Sequence, residues 1–259
     1  MFKNIYFDHV NCQDDRHKFF NSLGKRGFTL SPNKTEHPGK RHCRFIMFEG
    51  DNLFKVSYLE FIRVGAGGKS YDRAGISFGY KKKLVKFYKS ISKKLTSHFT
   101  HKNYSWKENS IDKLPGWNFL NFKNIGMRSI YPWFTEYEPF DSKVGIKTRK
   151  RPSIPTHPNT VYSVHGFELT LTAKGHKSFE MILGKKLRTV NKLADGTNLY
   201  INSGRVNRCT RVILNCRNIH KARKLVQAEE EFIFKGSEAL LLRSPASSLK
   251  AWDIVIIQN

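Results

Sequence analysis

Residues 5–12 read Ile5-Tyr6-Phe7-Asp8-His9-Val10-Asn11-Cys12, and their aromatic and β-branched content predicts a strand. An imidazole held in a strand can serve as a hydrogen-bonded structural group, a proton carrier or a metal ligand. A carboxylate stands in a second strand-like run, Tyr58-Leu59-Glu60-Phe61-Ile62. Alternation puts Tyr58, Glu60 and Ile62 on one face, so the Glu60 carboxylate shares its side with large apolar groups. A charge in that setting needs a partner, because burying it alone is costly. His37 and His42 flank Lys40-Arg41 in a Pro/Gly-containing segment. That set either lines a cleft mouth and meets an anion or forms a polar loop ahead of a strand. His157 either reaches back toward the first cleft or, beside Pro158, has a conformational role.

Other chemistries lack their signatures. Cys12, Cys43, Cys209 and Cys216 show no C-x-x-C spacing, which argues for free buried thiols over a disulfide framework or zinc finger. There is no G-x-S-x-G, Walker A or G-x-G-x-x-G pattern, so no nucleotide cofactor is expected. Gly65-Ala66-Gly67-Gly68-Lys69-Ser70 ends like a phosphate loop, but its glycine spacing is too short and no apolar helix follows.

The 259-residue chain carries 46 Lys+Arg against 21 Asp+Glu, a formal charge of +25, which favours anionic partners. The positive charge lies in separate regions: 81–94, 147–151, and Arg205, Arg208 and Arg211. No recognised nucleic-acid motif organises it. Twenty Phe and 39% apolar residues imply a substantial core and argue against disorder. No run reaches the roughly 20 apolar residues of a membrane span, and the opening lacks a signal-peptide layout. A cytoplasmic protein with no membrane partner is the expectation.

The elements that must position these residues follow one order, repeated. A strand at 4–12 leads into a helix at Gln13-Asp14-Asp15 that stops at Gly24, followed by strands over 41–48 and 54–63. A second strand, 75–80, precedes a helix over 81–95 whose apolar positions are Leu84, Tyr88, Ile91 and Leu95; strands over 103–106, 117–122 and 131–137 complete it. Lys18-Phe19-Phe20-Asn21-Ser22-Leu23 overlays Lys86-Phe87-Tyr88-Lys89-Ser90-Ile91 without a gap. Third and fourth copies begin near 164 and 211. The fold expected is α+β, with four tandem βαβββ units paired two by two in open curved mixed sheets around a cleft. Residues 1–140 would hold units one and two, 141–160 a Pro/Lys/Arg-rich linker, and 161–259 a second pair of βαβ-type units.

Phe7-Asp8-His9-Val10, His37-Pro38-Gly39, the run 41–48 and Tyr58-Leu59-Glu60-Phe61-Ile62 together resemble a glyoxalase-like domain of the vicinal oxygen chelate superfamily. Tyr131-Pro132-Trp133-Phe134-Thr135-Glu136 and His157-Pro158-Asn159 add further landmarks, so the resemblance covers about residues 4–160. It implies a cleft in which a divalent metal is held by side chains from the first and last strands of each unit. On that pattern the metal ligands would be His9, Glu60 and Glu136, with Glu60 and Glu136 also moving protons. Ser77 falls at the second histidine position and departs from the pattern. Ser77, His37 and Arg41 would bind substrate. Leu169 and Ile213 fall near the His9 position in the other half and Asp253 near that of Glu60, so no metal site is expected there. The identity of the ion is open.

The sequence therefore supports a glyoxalase-like protein that binds a small oxygenated anion between units one and two. Whether it is an enzyme stays open; if so, it is a metal-dependent lyase, isomerase or dioxygenase of the vicinal oxygen chelate type. A non-catalytic small-molecule-binding module and a basic nucleic-acid-associated protein are the alternatives. The oligomeric state is not encoded legibly.

Overall fold

The computed structural model describes residues 2–32, 34–37, 40–51, 55–67, 74–91, 95, 97–102, 105–106, 112–113, 117–122, 127, 129–137, 154–245 and 251–259. The segment 138–153, most of the expected linker, lies outside them, as do Gly68-Lys69-Ser70 and Pro38-Gly39. The chain opens with β1 (Ile5–Gln13), a 3-10 turn (Asp15–His17), α1 (Lys18–Lys25), β2 (Lys34–His37), β3 (Arg41–Glu49) and β4 (Val56–Val64). It continues through β5 (Ala74–Tyr80), α2 (Leu84–Ser90), β6 (Ser97–Lys102), β7 (Ser105–Trp106), β8 (Asp112–Lys113), β9 (Trp117–Phe122) and β10 (Ile130–Tyr137). The second half comprises β11 (Val161–Leu171), α3 (Ala173–Leu183), β12 (Val190–Lys192), β13 (Asn198–Ser203), β14 (Arg208–Cys216), α4 (Ile219–Val226), β15 (Glu230–Phe234), β16 (Ser237–Leu242) and β17 (Asp253–Gln258).

The architecture is α+β: a large, open mixed sheet with few helices. In the first half the strands run β2–β3–β4–β1–β5–β10–β9–β6, with β1–β4 and β5–β10 parallel. In the second they run β12–β13–β11–β14–β17–β16–β15, with β11–β13 and β14–β17 parallel. Each half thus places two antiparallel strands at its centre, β1–β5 or β11–β14, and a parallel neighbour outside each.

Helix boundaries follow local chemistry. Asp14 accepts from the backbone N–H groups of Phe19 (2.9 Å) and Phe20 (2.8 Å), satisfying donors that the first turn of α1 leaves open. Helix α3 ends where Gly184 takes φ 68°, a left-handed cap that glycine adopts without a Cβ penalty. Helix α2 departs from expectation. It ends at Ser90 and buries Leu84 and Phe87, while Tyr88 is exposed. Phe87 is held by rings at 4.7 Å on two sides, Tyr80 and Phe134, and that packing sets the helix rotation.

One face of the sheet carries the main core, which is continuous through both halves and includes Phe7, Val10, Phe61 and Phe78 together with Phe167, Leu214 and Trp252. Trp252 packs against Phe19 and Phe61 and donates its indole N–H to the Asn11 carbonyl at 3.1 Å. The opposite face of the first half holds a small separate cluster of Cys43, Phe45, Met47 and Ile62, with Tyr58 against it. The polar candidates lie on this second face.

Candidate functional site

A β-bulge builds the centre of the site. Along β1, Ile5 and Phe7 face the main core, and so do Val10 and Cys12, so the alternation slips by one residue between them. The β1–β5 register shifts at that point, between Phe7 and His9. A bulge places an extra residue on one strand and re-aims its side chains. Asp8 and His9, neighbours that regular alternation would separate, are therefore both turned to the second face of the sheet, and His9 Nδ1 lies 2.7 Å from Asp8 Oδ2.

Two chains of hydroxyl donors converge on the same oxygen. Trp133 donates its indole N–H to Thr135 Oγ1 (3.0 Å), which bonds Ser77 Oγ (2.8 Å), and Ser77 donates to Asp8 Oδ2 (3.2 Å). Tyr58 and Tyr137 join their hydroxyls at 3.2 Å, and Tyr137 donates to Asp8 Oδ2 at 3.1 Å. With Asp8 accepting throughout, the proton on His9 must sit at Nδ1, leaving Nε2 for chemistry. The ring is fixed by Tyr58, stacked at 4.3 Å, and by Trp133, edge-on at 5.1 Å. Burial and the Asp8 charge push both tyrosine hydroxyls above their usual range.

His9 Nε2 faces Glu60 Oε2 at 3.8 Å, and His37 Nε2 faces Glu60 Oε1 at 3.7 Å. These are ion-pair spacings, too long for direct hydrogen bonds. Asn11 donates to Glu60 Oε2 at 3.3 Å. Burial disfavours the Glu60 carboxylate charge, but His37, His9 and the Cys43 thiol outweigh it and hold the group down at about 2. For Cys43, burial and then the Glu60 charge push the thiol up, with Arg41 pulling the other way. Arg41 pairs in register with His37 across β2–β3 and, by alternation, shares the face of Cys43. His42 is one position off that face.

Glu136 is not part of this assembly. His9 pairs with Tyr58 across β1–β4, and Ser77 with Trp133 across β5–β10. Two residues further along each partner strand stand Glu60 and Thr135, so Thr135 occupies the Glu60 register in the second unit. Glu136, shifted by one, faces the other way. Its carboxylate accepts from the Leu84 backbone N–H (3.2 Å) and from Asn118 (3.3 Å), at the start of α2. His157 is likewise structural: Thr29 N–H donates to its Nδ1, and its Nε2 meets the Met47 carbonyl, both at 3.0 Å.

In the second half the bulge recurs, between Val164 and Gly166 on β11. The residue in the His9 register is therefore Gly166, not Leu169, and a Cβ there would run into the Asn198 carbonyl. Ile213 takes the Ser77 register and Tyr200 the Glu60 register, and both belong to an apolar cluster with Val255 and Ile257. Asp253, expected as the Glu60 counterpart, instead accepts from the Ser244 backbone N–H at 2.9 Å. Leu169 is buried in the main core.

The sequence resemblance implied a metal at His9, Glu60 and Glu136; with Glu136 facing away, the positions in register are His9, Glu60, Ser77 and Thr135. Ser77 and Thr135 are neutral hydroxyls committed to each other, to Asp8 and to Trp133, so the residues present do not fit a metal at that centre. Asp8, Asn11, Cys43 and Thr135 were not singled out as site residues in the sequence. Only the polar character of Asp8, next to His9, signalled a site.

No protein-family model matches the sequence, and no curated protein sequence matches it. Solved structures do. A hypothetical protein from Staphylococcus aureus aligns over 97% of this chain and 98% of its own, with a TM-score of 0.59 and 15% identity. Homoprotocatechuate 2,3-dioxygenase from Arthrobacter globiformis aligns over 99% of this chain and 80% of its own, with a TM-score of 0.54 and 9% identity. A triple mutant of 4-hydroxymandelate synthase from Streptomyces coelicolor aligns over 98% and 92%, with a TM-score of 0.56 and 8% identity. At these identities the likeness concerns the fold, which is vicinal oxygen chelate-like.

Proposed function

We propose that the chain binds a small oxygenated anion on the cleft face of its first half and transfers a proton within it, with His9 as the proton carrier. The reading takes residues 1–140 as a pair of units that carries the cleft and 161–259 as a supporting pair. The observation that carries it is the Asp8–His9 contact at 2.7 Å, which fixes the imidazole with Nε2 turned to the cleft side. A carboxylate that orients one ring nitrogen so that the other can accept or give a proton is the general acid–base arrangement. Glu60, ionised beside Nε2, stabilises the imidazolium formed when His9 takes a proton. Arg41 supplies positive charge for the anion, and Tyr58, Phe45 and Trp133 supply aromatic surface. One solved neighbour, a homoprotocatechuate 2,3-dioxygenase, holds 3,4-dihydroxyphenylacetate, which makes aromatic hydroxy acids the first class to try. Isomerase and lyase reactions both need such a proton transfer, whereas no step here is routed through a metal.

The test is a calorimetric screen of small carboxylates, starting with 3,4-dihydroxyphenylacetate, followed by proton NMR of any bound ligand in deuterium oxide. Binding with solvent deuterium entering the ligand, lost in His9→Ala, is the expected outcome. Binding that persists with no exchange in wild type would leave the non-catalytic binding module. No binding of any carboxylate would remove the proposal.

A further inference from the structure

Strands β2, β3 and β4 bring together three metal-type donors, of which Glu60 alone stands at a ligand position implied by the sequence resemblance. Across β2–β3, Thr35 faces Cys43 and His37 faces Arg41; across β3–β4, Cys43 faces Ile62 and Phe45 faces Glu60. Side chains two residues apart on a strand share a face, so His37, Cys43 and Glu60 occupy adjoining places on one side of the sheet. One ligand atom from each lies within 4.8 Å of the other two, and His37 Nε2 is 3.7 Å from Glu60 Oε1. A tetrahedral ion with bonds of about 2.0–2.3 Å separates its ligand atoms by about 3.5 Å. The His37–Glu60 pair already has nearly that spacing, and the cluster as a whole needs to contract by about 1.3 Å at most.

Asn11, 4% exposed, gives its amide N–H to Glu60 Oε2 and so holds the carboxylate with Oε1 turned to His37.

We propose that the chain binds a zinc-class divalent ion through His37, Cys43 and Glu60, with the fourth position open to water or substrate. One nitrogen, one sulfur and one oxygen donor suit zinc better than magnesium or calcium, which take oxygen ligands. Glu60 then uses its two oxygens differently: Oε1 holds the ion, and Oε2 faces His9 and Asn11. The ion and the proton carrier become neighbours through one carboxylate. The inference rests on the reading of this cleft as the working site, but its test is independent of any organic ligand.

The 259-residue chain, stripped with chelator and dialysed, is titrated with Co²⁺ and then Zn²⁺. One cobalt per chain is expected, with a thiolate-to-cobalt charge-transfer band that zinc displaces. Cys43→Ser should erase the band. His37→Gln should weaken cobalt binding by at least about 100-fold, since loss of an outer-shell partner alone costs 10–100-fold. His37 is partly exposed, so this variant keeps the test available should Cys43→Ser not fold, as judged by circular dichroism. His9→Ala should keep the band. The proposal is overturned by no stoichiometric uptake, by uptake without the band, by a band that survives Cys43→Ser, or by its loss in a folded His9→Ala variant. Loss of ligand exchange in His9→Ala with cobalt binding intact would support both readings. Cobalt binding without any carboxylate binding would sink only the first.

Discussion

Asp8 is the residue on which the site turns. It is fully buried and accepts from His9, Ser77 and Tyr137. Asp8→Ala leaves three buried donors without their acceptor. At roughly 1–3 kcal/mol for an unsatisfied group, a loss of about 3 kcal/mol or more in urea denaturation is expected. A loss below about 1 kcal/mol would mean that the donors find other partners. His9 and Glu60 could be read from sequence because residue type and strand alternation suffice for them. Asp8 could not, because alternation assigns it to the face opposite His9 and only a backbone bulge brings the two together. His157 gives the pH prediction at this scale. Burial lowers its pKa despite the Met47 carbonyl bond, so the unfolded chain binds its proton more readily than the folded one. His17 is lowered further, to about 4, by burial and then by Arg44, Arg63 and His42. The contribution of His17 is therefore full above about pH 6.5 and is lost as the pH falls toward 4, and that of His157 is lost in the same direction as the pH falls below about 6.5. Urea midpoints measured from pH 7 to pH 4 should fall, and His157→Gln, which can accept from Thr29 and donate to Met47, should flatten part of that slope. An unchanged slope would show that His157 titrates alike in both states.

At the scale of elements, α2 shows how packing overrides periodicity. Leu84, Tyr88, Ile91 and Leu95 form a plausible helical stripe in sequence, yet the helix stops at Ser90 and turns Leu84 and Phe87 inward. The rings of Tyr80 and Phe134 that receive Phe87 come from β5 and β10, and nothing local announces them. The same helix explains Glu136. Lys81, Lys82 and Lys83 crowd its N-terminus, where positive charge is unfavourable, and Lys83 provides no side-chain cap. Glu136 fills that role from β10. The sequence overlay counted it as a ligand because an error of one residue in register exchanges the faces of a strand. Glu136→Ala should cost about 1 kcal/mol, the usual scale for losing a cap, as a lower melting temperature. Cobalt binding should be unchanged, and a loss of cobalt would return Glu136 to the site.

Across the whole molecule, the two halves pair their strands in a similar way, but the sequence says little about how the halves meet. The composition implied a large core; that it would be shared was not visible, because the residues that join the halves are ordinary aromatics far apart in the chain. Trp252 of the second half sits between Phe19 and Phe61 of the first and bonds the backbone of Asn11, two residues beyond His9 on β1. Ala194 and Asp195 also reach β1, through the Ile5 carbonyl at 2.7 Å and the Phe7 N–H at 3.1 Å. The strand that carries the bulge is thus clamped from the second half at Ile5, Phe7 and Asn11. Trp252→Ala should therefore act at both levels. Removal of a buried Trp costs about 3–5 kcal/mol, and unfolding followed by fluorescence and by circular dichroism should shift together as one transition. In the variant that remains folded, cobalt affinity and ligand exchange should both fall, because the clamp on β1 at Asn11 is gone. If the two spectroscopic transitions separate, the halves unfold independently, and the support assigned to the second half fails.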